Sequence, residues 1–556
     1  RILRLDIKEK LAAAIKAACE RAISDGTVPA GALPAIQLDP PPQKSFGDFA
    51  TNFAMQAAKG LRCNPRVLAL AIEKNIDCPL LDKMEIVNPG FMNFFLKKDW
   101  LYESLARIAA QGENYGNLPK KSGEYIQVEF VSANPTGPLH IGHGRGAAVG
   151  SALVSLLRTA GYEVAAEYYI NDAGNQINNL AASVNARYLE LLKVPCDFPE
   201  DGYHGADIIA TAERIVKAGG DKYLGMSTKD RLAAFREIAL KEKIAILRED
   251  LEAFRVRFDN WFSEQTLHDG GAIEKCCADL TGRGYLYEKD GAKWLRSTLF
   301  GDDKDRVVIR ENGAPTYLAA DIAYHENKFS RGFTRLINLW GADHHGYIKR
   351  MKAACEALGH AGGRLEVLVL QMVSLFRDGE LVKMSKRTGQ SVTLNELVEE
   401  VGTDAARFFF IMRSIDSQLD FDINLAIEKA PENPVYYIQY AHARICSVFR
   451  QAAEVGAVSG GAADLSLLRE ECELDLIKKL DAYAGEVESA AKDRAPHRIA
   501  RYAHELTGLF HSFYQQCRIL GVEENMQTAR LTLARAVRDC LRHALELLGI
   551  SAPEYM

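Results

Sequence analysis

The sequence predicts a multidomain α/β protein: a parallel sheet of the nucleotide-binding kind with an α-rich insertion, preceded by an α+β domain and followed by an all-α helical bundle. Three observations support this prediction. The chain has 556 residues, which is more than a single hydrophobic core organises. Short apolar runs alternate with helical patterns across residues 113–403. From residue 404 to residue 556, apolar residues recur at helical spacing.

The composition is that of an ordinary soluble protein, with 47% hydrophobic and 26% charged residues. The sequence has no run of eighteen apolar residues and no apolar signal core near its beginning, so we expect neither membrane insertion nor export. Its eleven cysteines lack Cys-x-x-Cys spacing, which favours reduced thiols in the cytoplasm over a structural zinc. The net charge of −6 neither indicates nor excludes nucleic-acid binding, because local basic faces make phosphate contacts.

Residues 1–112 read as a separate α+β module. Apolar residues from Leu5 to Ile23 fall on one helical face. The prolines of Leu38–Pro42 impose an extended connection, and Gly47–Asn52 precedes a second helix. The pattern of Ile86–Leu96 is that of a strand, a turn and a strand. This module contains no group of residues that suggests catalysis.

The stretch Tyr125–Gly150 is the centre of the predicted nucleotide-binding sheet. It begins with a short apolar strand, which cannot continue through the two prolines and the glycine of Asn134–Pro138. After Gly146 an amphipathic helix is predicted to run as far as Gly161. Open α/β sheets hold nucleotides where a strand leads into a helix through such a loop.

Two interpretations of this loop compete. Gly142, Gly144 and Ala147 satisfy a dinucleotide-binding fingerprint, with Glu163 or Glu167 near the expected acidic position. Alternatively, His140 and His143 are the functional pair, because imidazoles at a helix entrance hydrogen-bond phosphate oxygens and stabilise charge on a phosphorus under attack. Both histidines could also be ordinary loop residues. The glycine pattern alone is weak, so the rest of the chain has to decide.

The next part of the chain continues the sheet and then interrupts it. Val164–Ile170 is a strand candidate, and Asp172 beyond it is expected to cap the following helix. Over about residues 195–300 the sheet pattern lapses into helices, an insertion whose charged run Lys241–Asp250 is expected to be solvated. The later strand candidates are Arg306–Arg310, Leu336–Trp340 and Val367–Phe376.

Two further groups of residues are placed to contact a ligand. Tyr317 and Asp321 lie one helical turn apart, so an aromatic ring and a carboxylate share one face. Gly341–Gly346, which includes His344, follows a predicted strand in ligand position. It is a poor metal site, because neighbouring strand residues point to opposite faces.

At this point the sequence resembles a known family. ANPTGPLHIGHGR, residues 133–145, is similar to the first signature of class I aminoacyl-tRNA synthetases in its arginyl-tRNA synthetase version. Lys383–Gly389, KMSKRTG, resembles the second signature of that class, about 240 residues downstream. The two signatures together are far more specific than either one alone.

The resemblance covers essentially the whole chain and implies its organisation. Residues 1–112 are similar to the N-terminal domain of arginyl-tRNA synthetases, which implies contact with the tRNA elbow. Residues 113–403 resemble the Rossmann-type catalytic domain of class I, with the insertion at about 195–300. Residues 404–556 resemble the helical anticodon-binding domain. A structural cap and a dimerisation bundle are the plainer alternatives for the two terminal domains.

The function implied is that of an arginine–tRNA ligase. Such an enzyme activates L-arginine with ATP to arginyl-adenylate and pyrophosphate, and then transfers arginine to the 3′-terminal ribose of its tRNA. The resemblance implies ATP with Mg²⁺ as cofactors, and arginine and its tRNA as partners, in a cytoplasmic monomer without membrane contact. It also implies that tRNA must be bound before the amino acid is activated.

The resemblance assigns roles residue by residue. Expected catalytic residues are His140, His143, Lys383 and Lys386. Expected ATP contacts are His140, Gly142, His143, Lys383, Met384, Ser385 and Lys386. Expected arginine contacts are Glu129, Ser132, Asn134, His143, Tyr317, Asp321 and His344. The signature comprises Ala133, Asn134, Pro135, Thr136, Gly137, Pro138, Leu139, His140, Ile141, Gly142 and His143.

The chemistry of these side chains suits the implied reaction. The histidines suit charge that develops on the α-phosphoryl oxygens, and the lysines suit the departing pyrophosphate. The carboxylates of Glu129 and Asp321 suit a cationic amino acid, and arginine rewards planar, two-pronged recognition. Taken without the resemblance, the same carboxylates would also permit lysine.

Two rival functions leave part of the sequence unexplained. An NAD-dependent oxidoreductase built on the Gly142 fingerprint would give no role to Lys383–Gly389 or to the helical last third. A synthetase-like protein that only binds RNA would not need both signatures intact.

Overall fold

The computed structural model describes residues 7–385, 391–456 and 463–556, so Lys386 of the second signature lies outside the described residues. The chain forms two compact units. The first comprises the described residues of Arg1–Gln111, Ala457–Asp481 and Cys517–Ala536. The second comprises those of Gly112–Gly456, Ala482–Gln516 and Val537–Met556.

The first unit begins as the α+β module that the sequence predicts. Its strands form an antiparallel sheet in the order β1-β3-β2, and the predicted strand, turn and strand are the hairpin of β2 and β3. The elements are α1 (Ile7–Ser24), β1 (Phe49–Thr51), α2 (Phe53–Leu61), α3 (Pro65–Asn75), β2 (Leu81–Val87), β3 (Phe91–Leu96) and α4 (Asp99–Gln111).

The second unit contains the predicted parallel sheet and the elements around it. The first half comprises β4 (Tyr125–Glu129), α5 (Ile141–Thr159), β5 (Glu163–Ile170), α6 (Asn175–Leu191), α7 (Ala206–Gly219), α8 (Thr228–Ala253), β6 (Asn260–Ser263), α9 (Gln265–Asp269) and α10 (Ala272–Gly282). The second half comprises β7 (Leu286–Lys289), β8 (Ala292–Leu295), β9 (Arg306–Ile309), α11 (Tyr317–Ser330), β10 (Arg335–Gly341), α12 (Ile348–Ala357), β11 (Leu365–Leu370), β12 (Val373–Arg377) and β13 (Glu380–Val382).

The rest of the described chain is helical apart from one short strand. Its elements are α13 (Leu394–Val401), α14 (Thr403–Ile411), β14 (Leu419–Asp422), α15 (Ile423–Ile427), α16 (Pro434–Glu454), α17 (Glu471–Asp481), α18 (Tyr483–Lys492), α19 (His497–Gln516) and α20 (Glu524–Leu547). Asn433 caps α16 by accepting from the Val435 N–H, and Pro434 occupies the first turn, where its missing donor costs nothing. No helix among the described residues is long and apolar enough to cross a bilayer.

The main sheet has five parallel strands in the order β11-β10-β4-β5-β6. The central strand β4 is buried on both faces: Ile126, Gln127 and Val128 are all fully buried. Because all five strands run in the same direction, their carboxyl ends meet along one edge of the sheet. Every group of candidate site residues described below lies at or near that edge.

Four expectations about these elements are wrong. The sheet pattern does not lapse throughout 195–300, because β6 pairs with β5 in the main sheet. The expected strand Val367–Phe376 is two strands, since β12 belongs to a separate sheet with β13 and β14. The strand is interrupted at Gln371, because the Gln371 carbonyl accepts a hydrogen bond from the buried Arg145 guanidinium at 2.7 Å instead of pairing with a neighbouring strand.

The other two corrections concern charged residues, one expected to face water and one expected to cap a helix. Lys243, within the run Lys241–Asp250, is 3% exposed and pairs with Asp207 at 2.6 Å, because α8 packs against α6 beside α7. Asp172 does not cap α6, whose N-cap is Gly174. Its carboxylate instead accepts from the Ser263 hydroxyl at 2.6 Å and the Gln265 N–H at 2.9 Å, which ties the end of β5 to the end of β6.

Candidate active site

The loop after β4 leaves the sheet through an unusual backbone conformation. Val131 and Ser132 have φ angles of 67° and 43°, in the left-handed region that L-residues rarely adopt. Ser132 is held there by its hydroxyl, which donates to Glu129 Oε1 at 3.1 Å and accepts from the Tyr169 N–H at 3.1 Å. Such strain persists only where surrounding contacts impose it, and it is concentrated at functional sites.

The helix that follows approaches this loop closely. A Cβ atom at Gly150 of α5 would lie 2.2 Å from the Phe130 ring, so only glycine fits there. Phe130 is 1% exposed, and this contact fixes the distance between the strand end and the helix. The first signature therefore bridges two elements whose separation is set by packing.

The first signature ends at the N-terminus of α5, where its two histidines stack. The ring centroids of His140 and His143 are 3.6 Å apart. His140 Nδ1 accepts from the Gly142 N–H at 3.2 Å, and His143 Nδ1 accepts from the His140 N–H at 3.3 Å. Because both Nδ1 atoms are acceptors, the proton of each neutral ring lies on Nε2.

The histidine pair is held neutral at physiological pH. Burial lowers the pKa of His140, and burial together with the neighbouring His140 ring lowers the pKa of His143 to about 4. Two neutral rings with Nε2–H groups are hydrogen-bond donors rather than cations. Such donors suit the oxygens of a phosphoryl group.

The rest of the first signature mainly builds the loop. Ala133, Pro135 and Leu139 are buried, and the Ala133 carbonyl accepts from the Tyr168 hydroxyl at 2.8 Å. Asn134 is exposed, and its carbonyl accepts from the Thr136 N–H at 2.8 Å, a tight turn consistent with the prolines. The remaining members, Gly137, Pro138 and Ile141, are half-buried or exposed.

The beginning of the second signature follows β13. Met384 is 63% exposed, and the Ser385 hydroxyl donates to Glu396 Oε1 at 2.7 Å. Glu396 also closes the capping box of α13 by accepting from the Thr393 N–H at 3.0 Å. The place of Lys386 in the site stays a prediction, since it lies outside the described residues.

The two signatures are joined through backbone. The Leu394 N–H donates to the Leu139 carbonyl at 2.8 Å, and Thr393 forms an antiparallel bridge with His140. A Cβ at Gly144 would lie 2.6 Å from Leu394 Cδ1, so this glycine allows α13 to approach α5. The segment that leads on from the second signature is thus attached to the residues that carry the histidines.

These contacts count against the dinucleotide interpretation. Gly144 is explained by the approach of Leu394. The Gly142 N–H, one of the amides that would bind a pyrophosphate, is already bonded to His140.

Asp321 is the candidate side chain with the most perturbed carboxyl group. It accepts from the Tyr347 hydroxyl at 2.6 Å. Burial, together with the nearby carboxylates of Glu129 and Glu264, raises the pKa of Asp321 to about 7 against the opposing hydrogen bond from Tyr347. Sequence reasoning did not find Tyr347 or Glu264, because each lies in a short segment just beyond a strand end and no pattern marks it.

The other two expected members of this group are more exposed. Tyr317 begins α11, as the helical spacing predicts, but is 66% exposed and is not among the described hydrogen-bond partners of Asp321. His344 lies in a short 3-10 helix after β10, within 3.5 Å of Asp343, with 62% of its side chain exposed. The strand-end position that the sequence predicts for His344 is confirmed.

Glu129 is already paired inside the protein. Its Oε2 accepts from Lys328 Nζ at 2.5 Å, and Lys328 is fully buried. The same ammonium donates to Asn338 Oδ1 at 3.1 Å, and Asn338 Nδ2 lies 2.9 Å from His325 Nε2. An unpaired carboxylate is strongly destabilised by burial. The ion pair with Lys328 offsets this destabilisation and allows Glu129 to lie within an apolar strand. Lys328 was not foreseen, because a lysine in an amphipathic helix is normally read as solvent-exposed.

Comparison with known proteins decides the family. Three family models match the chain: an arginyl tRNA synthetase N terminal domain over residues 6–96, a class I (R) tRNA synthetase catalytic domain over 104–414, and a DALR anticodon binding domain over 438–556. The Arginine--tRNA ligase of Carboxydothermus hydrogenoformans is 54% identical over 525 residues, 94% of either chain. The chain belongs to the arginyl-tRNA synthetase family.

A second relative and one solved structure agree with this placement. The Arginine--tRNA ligase 1 of Halalkalibacterium halodurans is 50% identical, covering 100% of this chain and 99% of the relative. The arginyl-tRNA synthetase of Thermus thermophilus matches 98% of this chain and all of its own with a TM-score of 0.76. At 23% identity, that match shows the shared fold.

Membership makes this arginyl-tRNA synthetase a class I enzyme, and the predicted fold class is confirmed. The known reaction of the family has two steps. Arginine is first activated with ATP, which releases pyrophosphate, and the arginyl group is then transferred to tRNA. The first step requires ATP and the amino acid to bind close together. The histidine pair follows β4, and Asp321 of α11 is hydrogen-bonded to Tyr347 beyond β10, so both groups of candidate residues lie near one edge of the sheet.

Proposed function

We propose that this chain activates L-arginine at the carboxyl edge of its five-stranded sheet and transfers it to the 3′-terminal ribose of its tRNA. The observation that carries the proposal is the backbone connection between Leu139 and Leu394. It holds the base of the second-signature loop beside the histidine pair, so two phosphate-binding elements serve one ATP molecule.

In this proposal the histidines act on the α-phosphoryl group. His140 and His143 donate from Nε2 to oxygens on which negative charge grows when the arginine carboxylate attacks the α-phosphorus. Their neutral state is an advantage, because the donors need no proton to be added or removed during the step. No side chain forms a covalent intermediate.

The second signature acts on the leaving pyrophosphate. Lys383 and Lys386 are the cations of this loop, and their charge is most valuable once the bond to the α-phosphorus breaks. The Ser385–Glu396 hydrogen bond attaches the loop to the N-terminus of α13. This bond fixes the backbone two residues after Lys383.

The arginine side chain is proposed to bind at Asp321. Its carboxylate, oriented by Tyr347, presents a planar acceptor that matches a guanidinium group. Glu129 acts mainly by holding Ser132, since Lys328 already neutralises its charge. Ser132, Asn134 and the exposed faces of Tyr317 and His344 are left for the remaining parts of the substrate.

The tRNA is proposed to contact an aromatic pocket on α16. A cavity of about 280 Å³ is lined by Tyr436, Tyr437, Tyr440, Arg444 and His511, among others. The rings of Tyr436 and Tyr440 are nearly parallel, 5.9 Å apart, and the Arg444 guanidinium lies 4.7 Å from the Tyr440 ring. Stacked rings with an arginine are the usual means of holding an unpaired base. Tyr440, Arg444 and His511 fall within the anticodon-binding model, and Tyr436 and Tyr437 lie just before its first matched residue, 438.

Mg²⁺ is proposed to enter with ATP. Within residues 7–385, 391–456 and 463–556, no three His, Cys, Asp or Glu side chains come together in a way that could hold a metal ion. The ion would therefore be bound chiefly by phosphate oxygens and water, as is usual for Mg²⁺. A monomer in the cytoplasm, where tRNA and ATP are available, completes the proposal.

The roles of the histidines are tested by ATP–pyrophosphate exchange with arginine and tRNA. His143→Ala should lower the exchange rate on the order of a hundredfold or more, the usual cost of one such donor. His204→Ala is the matched control, because His204 is exposed and stacks on Phe198 in the insertion. Equal rates in the two variants would contradict the proposal.

A further inference from the structure

The segment that follows α20, Leu548–Pro553, is bound by charged side chains of α14. Arg407, which is 1% exposed, donates from Nε and Nη2 to the Leu548 carbonyl at 3.1 and 2.9 Å. One turn earlier, Asp404 accepts from the Ser551 N–H at 2.9 Å and also from the Ser551 hydroxyl. Both charged groups of this short helix are thus committed to the 548–553 segment.

The same arginine reaches the helix that carries the histidine pair. Arg407 Nη2 donates to the Ser151 hydroxyl of α5 at 2.8 Å, and Nη1 donates to the Phe254 carbonyl at 3.1 Å. A single buried guanidinium therefore joins α5, the end of α8 and the 548–553 segment. A Cβ at Gly549 would lie 2.5 Å from Arg407 Nη2, so the segment and the arginine are packed without spare room.

The other side of the 548–553 segment is bound by α16. Gln439 Nε2 donates to the Ser551 carbonyl at 2.9 Å and to Asp404 Oδ2 at 2.9 Å. One turn later, His442 Nδ1 lies 2.9 Å from the Pro553 carbonyl and donates to it. Gln439 and His442 occupy helical positions between those of Tyr436, Tyr440 and Arg444, so α16 presents the aromatic pocket on one side and holds the segment on the other.

We infer that the 548–553 segment is a positioning element for the reaction: it fixes α14 against the histidine helix α5 and transmits a displacement of α16 to that helix. This inference rests on the proposed binding of tRNA at the aromatic pocket of α16. Asp404 and Arg407 are positioning residues in this account, since neither reaches the reacting atoms.

The physical basis is that direct hydrogen bonds join Gln439, Asp404, the 548–553 segment, Arg407 and Ser151 in series. Between Arg407 and Gly549 there is no free space. A tRNA base that shifts α16 moves Gln439, and Gln439 shares the partners Ser551 and Asp404 with α14. Packed polar interfaces respond to such a shift by changing partners rather than by stretching. The first bond to respond at α5 is the one between Arg407 and Ser151. At the other end of α14, Phe410 lies against Gly144, one residue after His143.

The test removes one hydroxyl at each end of the chain of contacts. Ser551→Ala and Ser151→Ala should each lower kcat of aminoacylation at saturating tRNA by about tenfold, the size expected for one charge-assisted hydrogen bond. The Kd of tRNA should stay within about twofold, because no residue of the aromatic pocket is changed. Ser551→Thr keeps the hydroxyl at an exposed position and should restore kcat. Ser330→Ala is the matched control, because Ser330 is exposed and its hydroxyl, among the residues that the structure describes, donates only to the Asn327 carbonyl of its own helix.

A purely structural role gives a different result. If kcat in both alanine variants equals that of Ser330→Ala, the inference is overturned. It is also overturned if kcat falls but Ser551→Thr does not restore it, since the hydroxyl is then not what matters. The tRNA assignment is tested separately by Tyr440→Ala. A normal tRNA Kd in that variant would refute the pocket, whereas a weakened Kd with unchanged kcat in the serine variants would refute only the positioning element.

Discussion

Replacing Asp321 by asparagine separates its proposed role in binding arginine from its effect on the stability of the folded protein. The substitution keeps the size of the side chain and its hydrogen bond from Tyr347, but removes the charge. If the substrate guanidinium pairs with Asp321 in a pocket that excludes water, arginine is then buried without its partner. Truncating one member of such a pair costs about 2–5 kcal/mol. At roughly 1.4 kcal/mol per tenfold, arginine kcat/KM should fall about 30-fold to several thousandfold.

The raised pKa of Asp321 predicts the opposite effect on stability. Its carboxyl binds a proton more tightly in the folded protein than in the unfolded chain, because its pKa is raised from 3.8 to about 7. The folded state is therefore favoured below pH 4, and that advantage is lost as the pH rises toward 7. Above pH 7 the charged carboxylate costs up to about 4 kcal/mol, which the asparagine does not incur. The variant should then be more stable than the parent at pH 8 while catalysing worse.

Steady-state kinetics and denaturant unfolding of one preparation check both predictions. The ATP KM should barely change, because the proposed phosphate contacts lie on other loops. Asp279→Asn is the control, since this exposed carboxylate pairs with Arg283 at the end of its own helix. A near-normal arginine kcat/KM in folded Asp321→Asn would show that the pocket has been placed wrongly. A loss of stability at pH 8 would refute the account of its raised pKa.

Four further predictions concern the two signatures, the packing of α5 and the requirement for tRNA. Lys386→Ala should raise the activation free energy of single-turnover adenylate formation by roughly 3–4 kcal/mol, with little change in arginine binding; an unchanged rate would remove the loop from the mechanism. Because the pKa of His143 is lowered to about 4, any break in the rate of activation near pH 6.5 should come from Asp321 and persist in His143→Asn, and a break in the parent that His143→Asn abolishes would contradict the neutrality of His143. Gly150→Ala should destabilise the fold by about 1–3 kcal/mol in denaturant, because its Cβ would overlap the Phe130 ring; unchanged stability would mean that the strand and helix adjust freely. ATP–pyrophosphate exchange should be negligible without tRNA, and robust exchange with arginine and ATP alone would rule out that dependence.

The elements that the sequence predicts well are those with a strong local pattern. The strand before His140 and the end of the following helix near Gly161 follow from periodicity, proline and glycine, although that helix begins at Ile141 and not after Gly146. The sheet order does not follow, because β6 is only four residues long and lies inside a helical stretch. The break at Gln371 depends on Arg145, 226 residues away, which no local pattern reveals.

The candidate site shows the same division. Motif residues such as His140, His143 and Asp321 can be found from the sequence, because their chemistry is recorded in short patterns. The residues that set their charge and position cannot. Lys328 contacts Glu129, which is 199 residues away in the sequence, and Tyr347 contacts Asp321, which is 26 residues away. From the local sequence alone, the first is interpreted as a surface lysine and the second as an aromatic residue in a loop.

The most direct measurement is aminoacylation with each of the twenty amino acids in turn, using purified protein, ATP, Mg²⁺ and total tRNA. Arginine alone should be attached, and lysine should be rejected because its point charge does not match the planar carboxylate of Asp321. Attachment of lysine at a comparable rate, or no attachment of arginine, would contradict the assignment of this site.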